Sequence, residues 1–597
     1  MSAAKFSDLV DMQKKACQTH AQRDLFGTKV DGIWKWITYK EFGERVDNFR
    51  GGLAQLGIGK GDAVAIISGN RVEWAVAAYA VYGLGAMFVP MYEHQLASDW
   101  EYIINDSGAK MLISTTEAIY DKIKDWPGKI GKVEKIVSMH LPASDALSFA
   151  AVEAAGKEKP AETVAIDPDS ICGFIYTSGT TGKPKGVLLS HDNFTSNVNA
   201  SHQIFPLEPE DSSVSFLPWA HSFGQTVELH VMLSMGCHVA FAESVPKLVD
   251  NIGEVRPTLL VSVPRIFNKI YDSLQKKMDA AGGLKKKMFY AAIANAAYRK
   301  ELAAQGKSSW WANFKHGLFD KLVFSKVRDR FGGRLVYAFS GGAALSPAVA
   351  EFIDNVGIMV YEGYGLTETS PIACANYREN RKIGSVGKAI PGVTIKLDTS
   401  VVGDDTGDGE IIVYGPNVMK GYHNLPEETA KVMTEDGGFR TGDRGSMDSE
   451  GYLRITGRIK EQYKLENGKY VVPAPLEEQL QLSAYVLQLY IDGANKLFNA
   501  ALIVPDQEAV EGWAKENGVT GSFSEMLKNP KTEALFAAEL EKYGKNFKGY
   551  ERVKQFALIE EEFTTDNGML TPSLKLKRRK VVDKYGDLME ELWSKTA

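Results

Sequence analysis

Residues 176 to 187 read Tyr-Thr-Ser-Gly-Thr-Thr-Gly-Lys-Pro-Lys-Gly-Val and follow an apolar, strand-like run from Ile171 to Ile175. Thr177, Ser178, Thr180 and Thr181 supply hydroxyls, Gly179, Gly182 and Gly186 let a backbone come close, and Lys183 and Lys185 add positive charge. Donors, close approach and cations together are what a polyphosphate requires, so the natural ligand is a nucleoside triphosphate. The string is not a Walker A loop, which needs four residues between its glycines and then Lys-Ser/Thr. The bland alternative is a flexible glycine-rich turn, and the length of the string weighs against it.

Six further blocks follow in order: Leu217-Pro218-Trp219-Ala220-His221-Ser222-Phe223-Gly224, Ser340-Gly341-Gly342-Ala343, Tyr361-Glu362-Gly363-Tyr364-Gly365-Leu366-Thr367-Glu368-Thr369, Arg440-Thr441-Gly442-Asp443, Thr456-Gly457-Arg458-Ile459-Lys460, and Thr571 to Arg579. Together they span about two-thirds of the chain, and in content and order they resemble the adenylate-forming superfamily of AMP-forming acyl-CoA synthetases, luciferases and peptide-synthetase adenylation domains. Lys464 to Val471, the Leu-Lys-Leu-Lys around Lys575, and the long stretch between Phe267 and Ser340 resemble its long-chain fatty acyl branch. Two positions depart from the pattern: Leu574 stands where a glycine is usual before the lysine, and Phe439 where a tryptophan is common.

The resemblance implies an order of events that also makes chemical sense. A carboxylate is a poor acyl electrophile, and transfer of AMP to it supplies a leaving group while charge builds on the α-phosphate. Glu368 then resembles the magnesium carboxylate, with Thr177 as its hydroxyl partner, since hard oxygen ligands suit that ion. Asp443, an acceptor-only group, suits the two ribose hydroxyls, and Arg458, always protonated, suits ribose or phosphate. The nucleotide set implied is Thr177 to Lys183, Lys185, Gly341, Gly342, Glu362, Gly363, Tyr364, Gly365, Thr367, Asp443, Arg458 and Lys575. Catalytic expectations are Lys575, Glu368, His221 and Thr181. Lys575 resembles the mobile lysine of adenylation, although Lys577, Arg578 and Arg579 could instead make this a basic surface face. His221 would flank the acyl carboxylate with Gly341 and Gly342, orienting it without acting as a base. Lys460 would be the hinge, and Gly468, with no side chain to block a thiol channel, would lie near the pantetheine arm.

Several elements must position these groups. Short β-branched runs at Ala63–Ser68, Met87–Met91, Met111–Ser114 and Ile136–Met139 alternate with helical patterns such as Val72–Tyr82, which indicates βαβ units and buried parallel sheet. The expectation is an α/β fold with a large multi-sheet N-terminal domain, residues 1–457, and a small mobile α+β C-terminal domain, residues 458–597, reached through a loop from Arg458 to Gly468. At 597 residues and 44 % hydrophobic composition, a small binding module and a disordered chain are both excluded. The net charge of −6 offers no field for nucleic acid.

Cys17, Cys172, Cys237 and Cys374 form no CxxC pair and none falls in a motif, so the thiol nucleophile should be coenzyme A and the compartment a reducing cytoplasm. Trp74 to Tyr92 runs 19 residues without a formal charge, but its glycines and Pro90 read as a buried helix, a turn and a strand, not a membrane span. Between Lys269 and Arg334, 15 basic residues face 5 acidic ones, a net +10 around the pair Trp310-Trp311. Two readings stay open there: weak peripheral contact with an anionic membrane, or a solvated helical face over a buried tryptophan pair. Fatty acid, ATP, coenzyme A and Mg2+ are the implied substrates and cofactor. The alternatives are a ligase for medium-chain, aryl or branched acids, an acyl-AMP ligase loading a carrier protein, and an inactive nucleotide-binding scaffold.

Overall fold

A computed structural model describes residues 6–177, 183–205, 207–402, 407–571 and 575–595. The alternating pattern near the N-terminus becomes a seven-stranded sheet in the order Gly421–Tyr422, Lys185–Ser190, Ile171–Thr177, Met87–Met91, Ala63–Ile67, Met111–Ser114, Lys135–Ser138. From Ile171–Thr177 to Lys135–Ser138 the strands run parallel, as buried β-branched runs demand. The charge-free stretch resolves into the buried helix Val72–Gly83 and the strand Met87–Met91 inside that sheet. Trp74, Tyr79 and Tyr82 of this helix are fully enclosed in the main core. Among the described residues no helix is long and apolar enough to cross a membrane.

A second sheet carries three parallel strands, Leu259–Ser262, Tyr337–Ser340 and Met359–Gly365, followed by two antiparallel ones. Its carboxyl ends deliver Ser340-Gly341-Gly342 and Glu362 to Gly365 to one edge, the place where open α/β sheets hold ligands. An antiparallel sheet of Thr394–Asp398, Gly409–Tyr414, Phe439–Met447 and Leu453–Arg458 follows. Phe439 is buried in the main core, which accounts for an apolar ring at that departure from the family pattern.

The stretch expected as a loop after Arg458 is more ordered than its polarity suggests. It forms a helical turn, Ile459–Glu461, and a two-stranded hairpin of Tyr463–Lys464 with Tyr470–Val471. Beyond it, Val486–Asp492, Asn499–Pro505 and Val553–Leu558 form a sheet of their own, packed against Pro473–Leu480, Pro530–Gly544 and Arg578–Ser594. Within the basic segment, the helices Gly283–Ala304 and Trp310–Phe319 lie against each other, and Trp310 and Trp311 are exposed. The reading with a buried tryptophan pair is therefore corrected: the inward side of that helix is taken by Ala312, while the two rings stand in solvent.

Candidate active site

The phosphate string is a β-hairpin. Ile171–Thr177 pairs antiparallel with Lys185–Ser190, and Thr177 lies opposite Lys185 at the end where residues 178–184 connect the two strands. Ser178, Gly179, Thr180, Thr181 and Gly182, the loop between, lie outside the described residues. Lys183 sits over the Tyr102 ring, 5.1 Å from its centroid. Lys185 bonds Glu428 at 2.6 Å and stands 4.9 Å over Tyr422. Lys185 and Lys431 hold Glu428 down to about 2 on the pKa scale, so Lys185 meets a carboxylate that is ionised throughout the useful range.

Glu368 occupies a single helical turn, Thr367–Thr369. Its Oε1 accepts a hydrogen bond from the Tyr422 hydroxyl at 2.8 Å, and its backbone carbonyl accepts from Met419 at 2.9 Å. Gly365, just before it, has a steric reason: a Cβ there would lie 1.8 Å from the Pro371 carbonyl oxygen. Thr367 and Ser222 hydroxyls meet at 3.2 Å and tie this turn to the His221 block.

Asp443 and Arg458 are cross-strand partners, so the ladder itself fixes their spacing. Arg458 Nε lies 3.1 Å from Asp443 Oδ1, and the Tyr364 hydroxyl donates to Oδ2 at 2.7 Å. Burial pushes the Asp443 carboxyl up, and Arg458, Tyr364 and Lys575 pull it back. Lys575 stands in the same cleft with its side chain open to solvent on one side. The surrounding walls push its ammonium down, as does Arg458, while Asp443, Glu368 and Glu461 pull it up.

His221 shares this field. Burial, and then the Lys575 cation, lower its imidazole to about 4, so it is neutral at pH 7. Its Nδ1 accepts the Phe223 N–H at 3.2 Å. A neutral ring whose Nδ1 accepts must carry its proton on Nε2, which leaves that nitrogen a donor. Phe223 closes the floor: a Cβ on Gly341 would come within 3.0 Å of its ring, so glycine there keeps the wall flat. Gly342 has φ +84° and Gly363 pairs with Ala375. Glu362 is buried, accepts the Leu345 N–H at 3.0 Å, and is raised by burial to about 7.

Lys460 is exposed within the turn Ile459–Glu461. Gly468 caps the exposed hairpin tip with φ +83°, a left-handed conformation that glycine adopts without strain. Lys575 is tied to Thr571 twice: its carbonyl accepts from Thr571 N at 2.8 Å, and its N–H donates to Thr571 Oγ1 at 3.0 Å. Arg578, three residues on, pairs with Glu477, donates to the Ile491 carbonyl at 2.9 Å and reaches Glu461 at 3.8 Å. All four cysteines are free thiols. Cys172, Cys237 and Cys374 are buried and Cys17 is half-buried with its thiol raised to about 12, so each is a poor nucleophile at neutral pH.

Sequence reasoning missed Tyr422, Glu461, Glu477 and Glu478. Tyr422 is 54 residues from the carboxylate it serves, so no local spacing could reveal it. Glu478, on the helix Pro473–Leu480, is raised to about 8 by burial and then by Glu362 and Glu477, with the Ala344 N–H pulling the other way. It therefore brings the small domain against the Gly341-Gly342 segment.

A cleft of this make-up, on a large multi-sheet domain closed by a small α+β one, defines an AMP-binding enzyme, and the chain belongs to that family. The profile described as AMP-binding enzyme matches residues 13–423, and the one described as AMP-binding enzyme C-terminal domain matches 460–597. The chain is 33% identical to the long-chain-fatty-acid–CoA ligase FadD15 of Mycobacterium bovis, over 96% of this chain and 94% of that protein. It is 31% identical to the peroxisomal long chain acyl-CoA synthetase 6 of Arabidopsis thaliana, over 95% and 83%. The fold is also that of the adenylation domain of a carboxylate reductase from Mycobacterium chelonae, with a TM-score of 0.79 at 23% identity over 98% of this chain and 91% of that one.

Proposed function

We propose that this enzyme is a long-chain fatty acid:CoA ligase, converting fatty acid, ATP and coenzyme A to acyl-CoA, AMP and pyrophosphate through an acyl-adenylate. The observation that carries the site reading is that Lys575, from the small domain, stands among Asp443, Glu368 and His221 of the large one and Arg458 at the junction of the two. In the first half-reaction a fatty carboxylate oxygen attacks the α-phosphorus and pyrophosphate leaves with the P–O bond electrons. Lys575 offsets the charge on the α-phosphate and carboxylate, Asp443 receives the ribose hydroxyls, and Arg458 steadies ribose or phosphate. His221, proton on Nε2, orients the carboxylate. In the second, the coenzyme A sulfur attacks the acyl carbon, AMP leaves, and the thiol proton passes to solvent. An activated acyl group and a thiol need little base catalysis. We assign the swing between the two to Lys460, with the hairpin tip at Gly468 brought to the thiol channel.

Magnesium fits the donor set. Among the described residues there is no cluster of three or more His, Cys, Asp or Glu, and Glu368 presents one carboxylate oxygen beyond the Tyr422 bond. An ion that keeps waters and takes most of its ligands from phosphate needs no more, so Glu368 and Thr177 would hold it and it would neutralise phosphate charge. The free thiols suit a cytoplasmic setting.

A series of acids of increasing chain length, assayed for pyrophosphate release and CoA thioester formation, tests the reading. Pyrophosphate release is expected only with added acid, hydroxamate should form without CoA when hydroxylamine is present, and turnover should peak among long chains. An optimum among aryl or short acids, or transfer to a carrier protein but not to CoA, would replace the substrate assignment. No acid-dependent pyrophosphate would leave a scaffold.

A further inference from the structure

The basic segment presents an outward stripe that the fold does not use. On the helix Trp310–Phe319 and the turn after it, Trp310 is 77 % exposed, Trp311 49 %, Phe314 62 % and Leu318 51 %, with Leu322 exposed beyond them. Residues 311, 314, 315, 318 and 322 recur at helical spacing and so share one side. The other side is spoken for: Ala312, Val323 and Phe324 are buried, the latter two in a core cluster of the large domain with Phe319 packed on it. The helix is also clipped in place, since Asn295 Nδ2 donates to the Ala312 carbonyl at 3.1 Å and Arg299 Nε to Asn313 Oδ1 at 2.8 Å. Its outward side is thus fixed by packing.

Three aromatic rings and two leucines side by side in solvent are a cost that an ordinary water-facing helix avoids. The rings pack on one another, with Trp310–Trp311 centroids 5.5 Å apart and Trp311–Phe314 stacked at 5.7 Å. Their surroundings are cationic. From residue 307 to 326 there are four lysines, Lys307, Lys315, Lys321 and Lys326, all exposed, against one acid, Asp320. Arg328 already pairs with that acid at 2.7 Å. Lys315 lies over the Trp311 ring at 5.1 Å, so apolar and positive surface are interleaved.

We infer that this stripe docks the enzyme reversibly on an anionic lipid surface, with Trp310, Trp311, Phe314 and Leu318 entering the headgroup boundary and the lysines facing lipid charge. Tryptophan rings with lysine stems beside them suit that boundary, where one end is apolar and the other wet. Charge complementarity decides the occupant: a neutral apolar partner would leave four lysines without counterpart, and a second copy of this chain would bring like charge to like. The benefit, proximity to acids dissolved in a bilayer, rests on the fatty-acid reading above, but the binding does not.

The full-length enzyme, without substrate, is co-sedimented with vesicles of phosphatidylcholine alone and with one-third phosphatidylglycerol, at low and high salt. We expect binding to the anionic vesicles at low salt that falls roughly tenfold or more in 0.5 M NaCl, because exposed charges are screened beyond a few ångströms there. W310S/W311S/F314S should lose about tenfold at either salt, and K315E/K321E should lose the salt dependence, while both keep wild-type thermal stability and turnover of acid presented in solution. Equal, salt-independent binding to both vesicle types, or none to either, overturns the inference. So does light scattering that gives a dimer in the wild type and a monomer in the triple variant, since a second copy would then be the occupant. Loss of ligase activity with intact vesicle binding would fault the substrate reading and leave this one standing.

Discussion

The two walls of the cleft are built by opposite rules. On the large-domain side, up to its junction with the small domain at Arg458, the groups are locked by secondary structure: Asp443 and Arg458 are neighbours because two strands pair in one register, and Tyr364 and Tyr422 hold the carboxylates of Asp443 and Glu368. On the small-domain side one residue, Lys575, enters the cleft, held to Thr571 by two hydrogen bonds. Arg578, three residues on, is braced by Glu477 and Glu461. On the proposed mechanism the difference separates permanent binding from a temporary contribution. Nucleotide must be held through both half-reactions, whereas the charge that aids attack at the α-phosphate serves only the first.

Removing the temporary group should break the comparison most sharply. Lys575→Ala is expected to lower adenylation by two or more orders of magnitude, the size of a ~3 to 4 kcal/mol transition-state contact. Thioester formation from supplied acyl-AMP should survive. Measuring the two half-reactions separately decides it, and an equal fall in both would make Lys575 a structural residue.

The brace comes next. Arg578→Met leaves Glu477, which also accepts the Ile491 N–H at 2.7 Å, without its cation. Stranding one partner of a mostly buried pair should cost about 3 kcal/mol, the low end of the usual range, because the guanidinium keeps some solvent contact. Urea unfolding of the full chain should show it in the small domain. Adding Glu477→Gln should recover much of the stability but not adenylation, because Lys575 would still lack its brace. Recovery of both would mean that Arg578 serves folding alone.

How much of this could be read from sequence follows the same division. Strands Met87–Met91 and Met111–Ser114 and the helix beginning at Val72 were legible because β-branched runs and Ala-rich helices in a buried parallel sheet have little choice. The residues proposed to touch nucleotide come in contiguous strings, so their types and spacing survive in one dimension. Partners supplied by a distant strand, such as Tyr422 for Glu368, leave no such trace. The strands Val486–Asp492 and Asn499–Pro505 of the expected α+β domain could not be bounded in the sequence, because charged helices surround them. Exposure of Trp310 and Trp311 was undecidable for another reason. A helix with aromatic residues at helical spacing reads alike whether that side faces a core or a membrane, and only the buried Ala312 distinguishes them.

The smallest expected effect lies where the two walls meet away from the lysine. Glu478 of the small domain is raised to about 8 by its packed surroundings and then by Glu362 of the large one, whose own carboxyl burial raises to about 7. Glu478, raised here above its ordinary 4.5 in part by a carboxylate across the contact, binds more protons in this arrangement than in one where the domains have parted. The arrangement is therefore unpenalised below about pH 4.5, loses ground as pH rises, and carries its full penalty above about 8. Asp443, also raised, acts in the same sense, while Lys575, lowered by its surroundings, acts in the opposite one. Neither is altered in Glu478→Gln, so the difference between that variant and wild type isolates the pair. Because Glu478 keeps an edge in solvent, we expect only a roughly threefold change across pH 6 to 8.5 in the ratio of adenylation to thioester rates, flattened in the variant. A variant that retains the wild-type slope would assign the pH dependence to Lys575 and Asp443, inside the cleft, and leave the Glu362–Glu478 contact without influence on closure.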